Sequence, residues 1–315
     1  MRILVTGGSG YIGTRLMQAL APRADVEEIV DLDIRAPGPA LPKVRFVERS
    51  VTEDMRDLFT DSARPVDVAM HLAWVLDPLH DAARQRAICI GGTERFLEGC
   101  AAGGTKQVFF MSSGTAYGAH PAHGTPVAES EPLKDHHHFQ YSAEKREAEG
   151  LCQRYVADHP GTILQIGRPA VVGGPNVANY LFRILEKKVT FRPMGMDPPL
   201  QFVHEDDVAA ALVAIVLSRL PGAFNIAPDD AMKATEAARV AGARLVAIPL
   251  PLLYAIAGLA WRLKLRGLVE APSGFISFIA YPWLLSNRRL CDELGVRPKF
   301  TSRQTLESFL AARRP

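Results

Sequence analysis

The sequence predicts an α/β fold, a doubly wound parallel sheet with a smaller, helix-rich C-terminal lobe. Three observations carry this. Short β-branched runs alternate with longer amphipathic segments, glycines crowd the turn after the first run, and proline-punctuated helical sequence follows Pro228. The strand-like runs are Arg2–Thr6, Glu28–Asp33, Val44–Glu48, 66–72, 107–112 and 162–167. Between them, apolar residues recur at three- and four-residue spacing over Tyr11–Leu20, 82–102 and Gln140–Asp158. A further helix–strand pair fits 206–218 and 223–226. Such alternation builds βαβ units, whose right-handed crossovers cover both faces of the sheet. We expect a nucleotide-binding core over 1–175, to which 201–227 returns. Residues 176–200 and 228–315 should form a substrate lobe over the carboxyl ends of the strands, where open sheets bind ligands.

The composition narrows the function. Of 315 residues, 48% are apolar and 22% charged, with 36 basic against 34 acidic side chains, which excludes wholesale disorder. A net charge of +2 offers no basic footprint for nucleic acid. Cys89, Cys100, Cys152 and Cys291 are too scattered for a disulfide scaffold or zinc module, so a reducing, cytoplasmic setting is expected. The start Met1-Arg2-Ile3-Leu4-Val5 runs straight into the glycines with no signal-peptide core. The uncharged stretch 245–261, interrupted by Pro249 and Pro251, is short of the roughly 20 apolar residues of a membrane span. A buried helix or pocket wall is expected there, with contact at a membrane surface as the alternative. His120, His123 and His136–His138 lie on loop-like sequence without a spaced ligand set, and no metal is expected.

Directly after the first strand comes Thr6-Gly7-Gly8-Ser9-Gly10-Tyr11-Ile12-Gly13. Gly7, Gly10 and Gly13 allow a tight turn, close approach of backbone to a diphosphate, and a helix packed near the strand. Tyr11 and Ile12 open that helix, whose free N–H groups would face the phosphates. About 20 residues on, an acidic strand end completes a dinucleotide fingerprint. Asp33, where the apolar alternation stops, is chosen over Asp31 to accept the ribose hydroxyls. Its charge repels a ribose phosphate, favouring NAD over NADP. Tyr141 and Lys145, four apart on a helix, project from one face. A nearby ammonium is expected to lower the phenol's pKa, so that the tyrosine takes a proton from a substrate hydroxyl. Ser113, with Ser112 beside it, ends the fifth strand and can donate to a developing carbonyl oxygen.

With these elements in order, the sequence resembles the extended short-chain dehydrogenase/reductase superfamily, in its NAD-dependent epimerase/dehydratase branch. The likeness rests also on His71-Leu72-Ala73, Gly91-Gly92-Thr93, Gly167-Arg168-Pro169 and the Phe202–Ala209 stretch FVHEDDVA. It implies Tyr141 as base, Lys145 as its electrostatic and ribose-binding partner, and Ser113 as third member. It also implies cofactor contacts from Ser50, Val51, Leu72, Ala73 and Pro169, and a homodimer through the helices of 82–102 and 140–158. Departures qualify the activity. Gly114-Thr115 replace the acidic pair of the dehydratases, and Leu200-Gln201 replace an arginine–aspartate pair whose arginine grips a substrate diphosphate. Arg183, Arg192 and Arg262 are the candidate substitutes. The expectation is reversible hydride transfer at a secondary alcohol, foremost sugar epimerisation. The alternatives are a dehydrogenase or reductase of a hydrophobic, steroid- or terpenoid-like alcohol or ketone, and a non-catalytic NAD-binding protein.

Overall fold

A computed structural model describes residues 1–121, 126–134, 138–265 and 268–313. In chain order the strands are β1 (Arg2–Thr6), β2 (Glu28–Asp33), β3 (Val44–Glu48), β4 (Val68–His71), β5 (Gln107–Met111) and β6 (Ile163–Pro169). There follow β7 (Val171–Gly173), β8 (Val189–Pro193), β9 (Pro199–Leu200), β10 (Phe202–His204), β11 (Gly222–Ile226), β12 (Met232–Lys233) and β13 (Arg244–Ile248). The helices of the first half are α1 (Tyr11–Leu20), α2 (Ala82–Arg86), α3 (Gly92–Gly103) and α4 (Gln140–Asp158). Those of the second are α5 (Tyr180–Leu185), α6 (Glu205–Ser218), α7 (Ala234–Val240), α8 (Leu250–Arg262), α9 (Ile276–Ala280), α10 (Arg288–Leu294) and α11 (Ser302–Ala311).

Seven strands form one parallel sheet in the order β11-β6-β5-β4-β1-β2-β3. β1, β2, β4 and β5 are buried along their whole length, as a sheet covered on both faces requires. One face packs Leu16, Met17 and Leu20 of α1 with Val208, Leu212 and Ile215 of α6. The other packs Phe59, Phe96 and Cys100 with Cys152 and Tyr155 of α4. Strand order reverses between β1 and β4, so the crevice at their carboxyl ends is the binding site that the topology provides.

Two elements differ from the periodicity. The helix expected over 82–102 is α2 and α3 joined by a π-helical turn, Ala87–Gly91, which re-phases the buried face. The segment after Pro228 also contains strands: β13 pairs β8 in parallel and β12 pairs β9 antiparallel. The chain then re-enters the core, where Leu285 and Leu290 join the cluster under α6. The C-terminal segment meets the start of α4 closely at Gly274, where a Cβ would stand 1.9 Å from the His138 carbonyl oxygen.

Candidate active site

At the carboxyl edge of β1 the chain turns at Gly7 with φ +75°, a conformation that glycine adopts without strain. A Cβ on Gly7 would lie 2.6 Å from the Ala73 nitrogen, and one on Gly13 would lie 2.3 Å from the Gly7 oxygen. The loop, the start of α1 and the Leu72–Ala73 backbone therefore enclose a cradle that side chains would fill. The first N–H groups of α1, those of Tyr11, Ile12 and Gly13, have no carbonyl one turn back to bond. No acid in the first turn offsets the positive end of the helix. This donor set and this clearance fit the diphosphate of a dinucleotide. The Tyr11 hydroxyl donates to Glu205, so its side chain ties α1 to α6 and its part in the loop falls to its backbone.

The other expected cofactor positions line the same edge. Asp33 ends β2 and accepts the Arg35 N–H at 3.1 Å. Asp31 is fully buried beneath the loop. Its Oδ2 accepts the Ser9 hydroxyl at 2.7 Å, Oδ1 has no partner, and burial raises its pKa. Ser50 accepts the Thr52 N–H at 3.2 Å and shapes the turn after β3. Val51 packs against Gly92, where a Cβ would approach to 2.7 Å. Pro169 closes β6 opposite Ile226 of β11.

Ser113, Tyr141 and Lys145 come together. Ser113 caps the 3₁₀ turn Gly114–Tyr117, and its Oγ accepts the Thr115 N–H at 3.2 Å and the Thr115 hydroxyl at 3.0 Å. With both acceptances made, its single proton is free to donate. It acts on the phenol of Tyr141, in the first turn of α4, favouring the ionised form. Lys145 lies one turn further, buried, with Nζ donating to the Met111 carbonyl at 2.6 Å and 3.6 Å from the centre of the Trp74 ring. Desolvation holds this amine down at about 7.

The phenol departs from expectation. Burial raises the Tyr141 pKa, and Ser113 only opposes that shift. The lysine does not reverse it. Its Nζ is 5.9 Å from the tyrosine ring, is committed to Met111, and is itself poised near neutrality.

Three features escaped the sequence reading. Trp74 follows His71-Leu72-Ala73, stands edge-on to Tyr141 at 6.5 Å and leaves its buried Nε1 without a partner. An aromatic side chain directly after that motif was the available signal. Beneath the site, Arg168 pairs with Glu149 at 2.6 Å, Ser112 donates to Glu149 at 2.5 Å, and Arg168 donates to the Tyr117 hydroxyl at 2.6 Å. This buried network holds the ends of β5 and β6 against α4. An aromatic wall also surrounds Tyr141. Phe139 lies 5.9 Å from it, and Phe275 and Phe278 of the lobe lie 5.9 and 5.4 Å from Phe139.

His71 and Thr93, from two of the motifs, are structural. Thr6 and Thr93 bond the two ring nitrogens, Phe96 stacks on the ring, and burial pushes its pKa down to about 3. Gln201 brackets the backbone, donating to Pro228 and Leu285 and accepting from Leu285 at 2.7 Å. Arg183 is engaged by Asp77 and Glu270, and Arg192 by the Met196 carbonyl. Of the three substitute arginines, Arg262 alone is exposed without such a bond among the described residues. No cluster of three or more metal-ligating side chains occurs among the described residues, and His123, His136 and His137 lie outside them. No helix among them is long and apolar enough to cross a membrane.

Residues 3–227 match the NAD dependent epimerase/dehydratase family. An uncharacterized protein of Mycobacterium tuberculosis is 24% identical over 319 residues, covering 99% of this chain and 84% of its own length. A 3-diazoavenalumate denitrifying reductase of a Streptomyces species is 29% identical over 255 residues, covering 75% of this chain and 79% of its own. Among solved structures, UDP-glucose 4-epimerase of Thermus thermophilus in complex with NAD superimposes with a TM-score of 0.76 at 21% identity, covering 99% of this chain and 98% of that one. A short-chain dehydrogenase/reductase superfamily protein of Agrobacterium tumefaciens with bound NAD gives 0.74 at 19% identity, over 100% and 97%.

Proposed function

Because the chain belongs to the NAD dependent epimerase/dehydratase family, we propose that it interconverts a secondary alcohol and a ketone at Ser113, Tyr141 and Lys145. The observation that carries this is the convergence of three groups at the sheet's carboxyl edge: the Tyr141 phenol, Ser113, which counters the burial of that phenol, and the buried Lys145 one helical turn on, its Nζ 5.9 Å from the tyrosine ring. NAD supplies a reversible hydride acceptor when bound, and the cradle of Gly7, Gly10 and Gly13 with Asp33 fits it. Gly7, Tyr11, Ile12 and Gly13 offer backbone to the diphosphate, and Asp33 offers its carboxylate to the ribose. Ser50, Val51, Leu72, Ala73 and Pro169 flank that cradle.

Tyr141 holds the proton that moves. Kept neutral by burial, it is ready as an acid toward a carbonyl oxygen, and in the other direction it receives the proton of a substrate hydroxyl. When a substrate oxygen enters, the Ser113 proton turns from the phenol to that oxygen, and the Tyr141 proton is left to move. Lys145 stiffens the end of β5 through Met111 and returns charge to the site as pH falls toward 7.

The surroundings of Tyr141 support an apolar or aromatic substrate over a nucleotide sugar. Phe139, Phe275, Phe278 and Trp74 wall the site, Gln201 is spent on backbone, and Arg183 and Arg192 are engaged. Nucleotide-sugar epimerisation is the second reading, favoured by the UDP-sugar epimerases among the structural relatives. Incubation with NAD and panels of both substrate classes separates them: net NADH from apolar alcohols supports the first, epimer without net NADH the second. Tyr141→Phe should lower kcat about 10²- to 10⁴-fold with NAD affinity kept. Full activity in that variant would remove the catalytic assignment and leave an NAD-binding protein.

The division into a core over 1–175 and 201–227 and a lobe over 176–200 and 228–315 is proposed on the same footing. So are a cytoplasmic setting and a homodimer through the helical segments 82–102 and 140–158, where Ile88, Leu151 and Val156 are half-buried. A single species of 34.4 kDa in sedimentation velocity would exclude the dimer.

A further inference from the structure

The large apolar side chains left exposed concentrate in one stretch. Leu252, Ile256, Leu259 and Leu263 are 50%, 39%, 59% and 59% exposed, and Leu265 and Leu268 follow at 46% and 49%. Each residue of an α-helix turns by about 100°, so spacings of four, three and four place the first four within an arc of roughly 60°. They form a row about 16 Å long on one face of α8. Leu253, Ala257 and Ala260, on the other side, are buried, the first two against Ile276. Single exposed leucines need no explanation, whereas an aligned row marks a surface that something covers.

The charge around the row says what covers it. Between Glu236 and Glu270 the sequence has no acid, and it carries Arg239, Arg244, Arg262, Lys264 and Arg266. Arg262 and Lys264 are exposed at the end of the row and have no acidic partner among the described residues. The acids that line the cavity beneath this end are already matched. Asp77 pairs with Arg183 at 2.8 Å, and Glu270 pairs with Lys187 at 3.1 Å and Arg183 at 3.4 Å. An apolar helical face rimmed by unmatched cations is complementary to an anionic lipid surface.

We propose that α8 lies flat on an anionic membrane surface, its leucine row inserted at the boundary of headgroups and acyl chains and Arg262 and Lys264 against lipid phosphates. The docked helix belongs to the lobe whose Phe275 and Phe278 reach Phe139 beside Tyr141. This assignment is independent of the reaction proposed above.

The test is co-sedimentation of the full chain with vesicles of phosphatidylcholine alone, or of phosphatidylcholine with phosphatidylglycerol. Binding is expected to the mixed vesicles and to weaken with salt. It should fall about fivefold for each charge removed in Arg262→Gln and Lys264→Gln. Leu259→Glu with Leu263→Glu should abolish it while Tm stays that of the parent, since both sites are exposed. Should the glutamates lower Tm, the charge variants decide. A chain that stays in the supernatant with anionic vesicles overturns the proposal. So does a parent dimer that the same glutamates split into monomers, because the row would then cover a second copy.

Discussion

Lys145 keeps its amine where water cannot reach it, over the Trp74 ring and bonded to the Met111 carbonyl. Its native pKa of about 7 lies below the 10.5 of an exposed lysine, so the unfolded chain binds its proton more tightly. The destabilisation therefore begins as pH falls through 10.5, grows down to about 7 and is constant below that. Lys145→Met keeps the length of the side chain and removes the charge. The orphaned Met111 carbonyl costs about 1 kcal/mol at every pH. Calorimetry should then find the Tm of the variant, relative to the parent, highest at and below pH 7 and falling toward pH 10. A difference that does not change with pH would mean that the parent amine is not desolvated. Asp31 illustrates a limit of sequence reading at this scale. The apolar alternation correctly assigned the strand end to Asp33, yet nothing local revealed that Asp31 sits under the glycine loop with one oxygen unpaired.

Among the elements, those made by local rules were legible and those made by long-range contacts were not. The strands β1, β2 and β3 and the helices α1 and α4 stand where periodicity and glycine spacing put them. The π turn between α2 and α3 was not legible, because it answers to the fit of Cys89 and Ile90 into the core rather than to local preference. β8 and β13 were missed because their partners are more than 50 residues apart in sequence. The segment 245–261, expected to be buried, is half buried and half on the surface: Leu253 and Ala257 of α8 pack against Ile276 and Trp261 stacks on His80, while Leu252, Ile256 and Leu259 face outward. The 3₁₀ turn Ser273–Phe275 shows how the lobe is set on the core. At Gly274 the clash of an added Cβ would be with the carbonyl of His138 and the nitrogen of Phe139, backbone atoms that cannot rotate away. Gly274→Ala must therefore lift the turn from the start of α4 and shift Phe275, at a cost of about 1–3 kcal/mol. Turnover should fall while NAD affinity stays, because Gly274 meets His138 and Phe139 whereas the glycine loop meets Leu72 and Ala73. A parallel loss of NAD binding would show that lobe and core are not separable in this way.

For the whole molecule, the nucleotide cradle joins pieces that are distant in the chain: the turn after β1, the start of α1, the end of β2 and the backbone after β4. A ligand held there binds only the folded chain, so it stabilises all of it in proportion to the logarithm of its concentration. At a hundred times its Kd, NAD should add about 2.7 kcal/mol. For a chain of this size that is a rise in Tm of roughly 5 °C. With the adenosine ribose at Asp33 as proposed, NADP would bring a phosphate to the end of β2, where a carboxylate at 9% exposure has little water to screen the repulsion. NADP at the same concentration should shift Tm by much less. The difference has one rival explanation, that Arg35 beyond the strand end reaches the phosphate and offsets the carboxylate. Asp33→Ser separates the two. If the carboxylate decides, the variant loses part of the NAD shift, gains NADP shift and brings the two curves together. If Arg35 decides, the parent already responds to both nucleotides alike, and Asp33→Ser lowers the NAD shift without raising that of NADP.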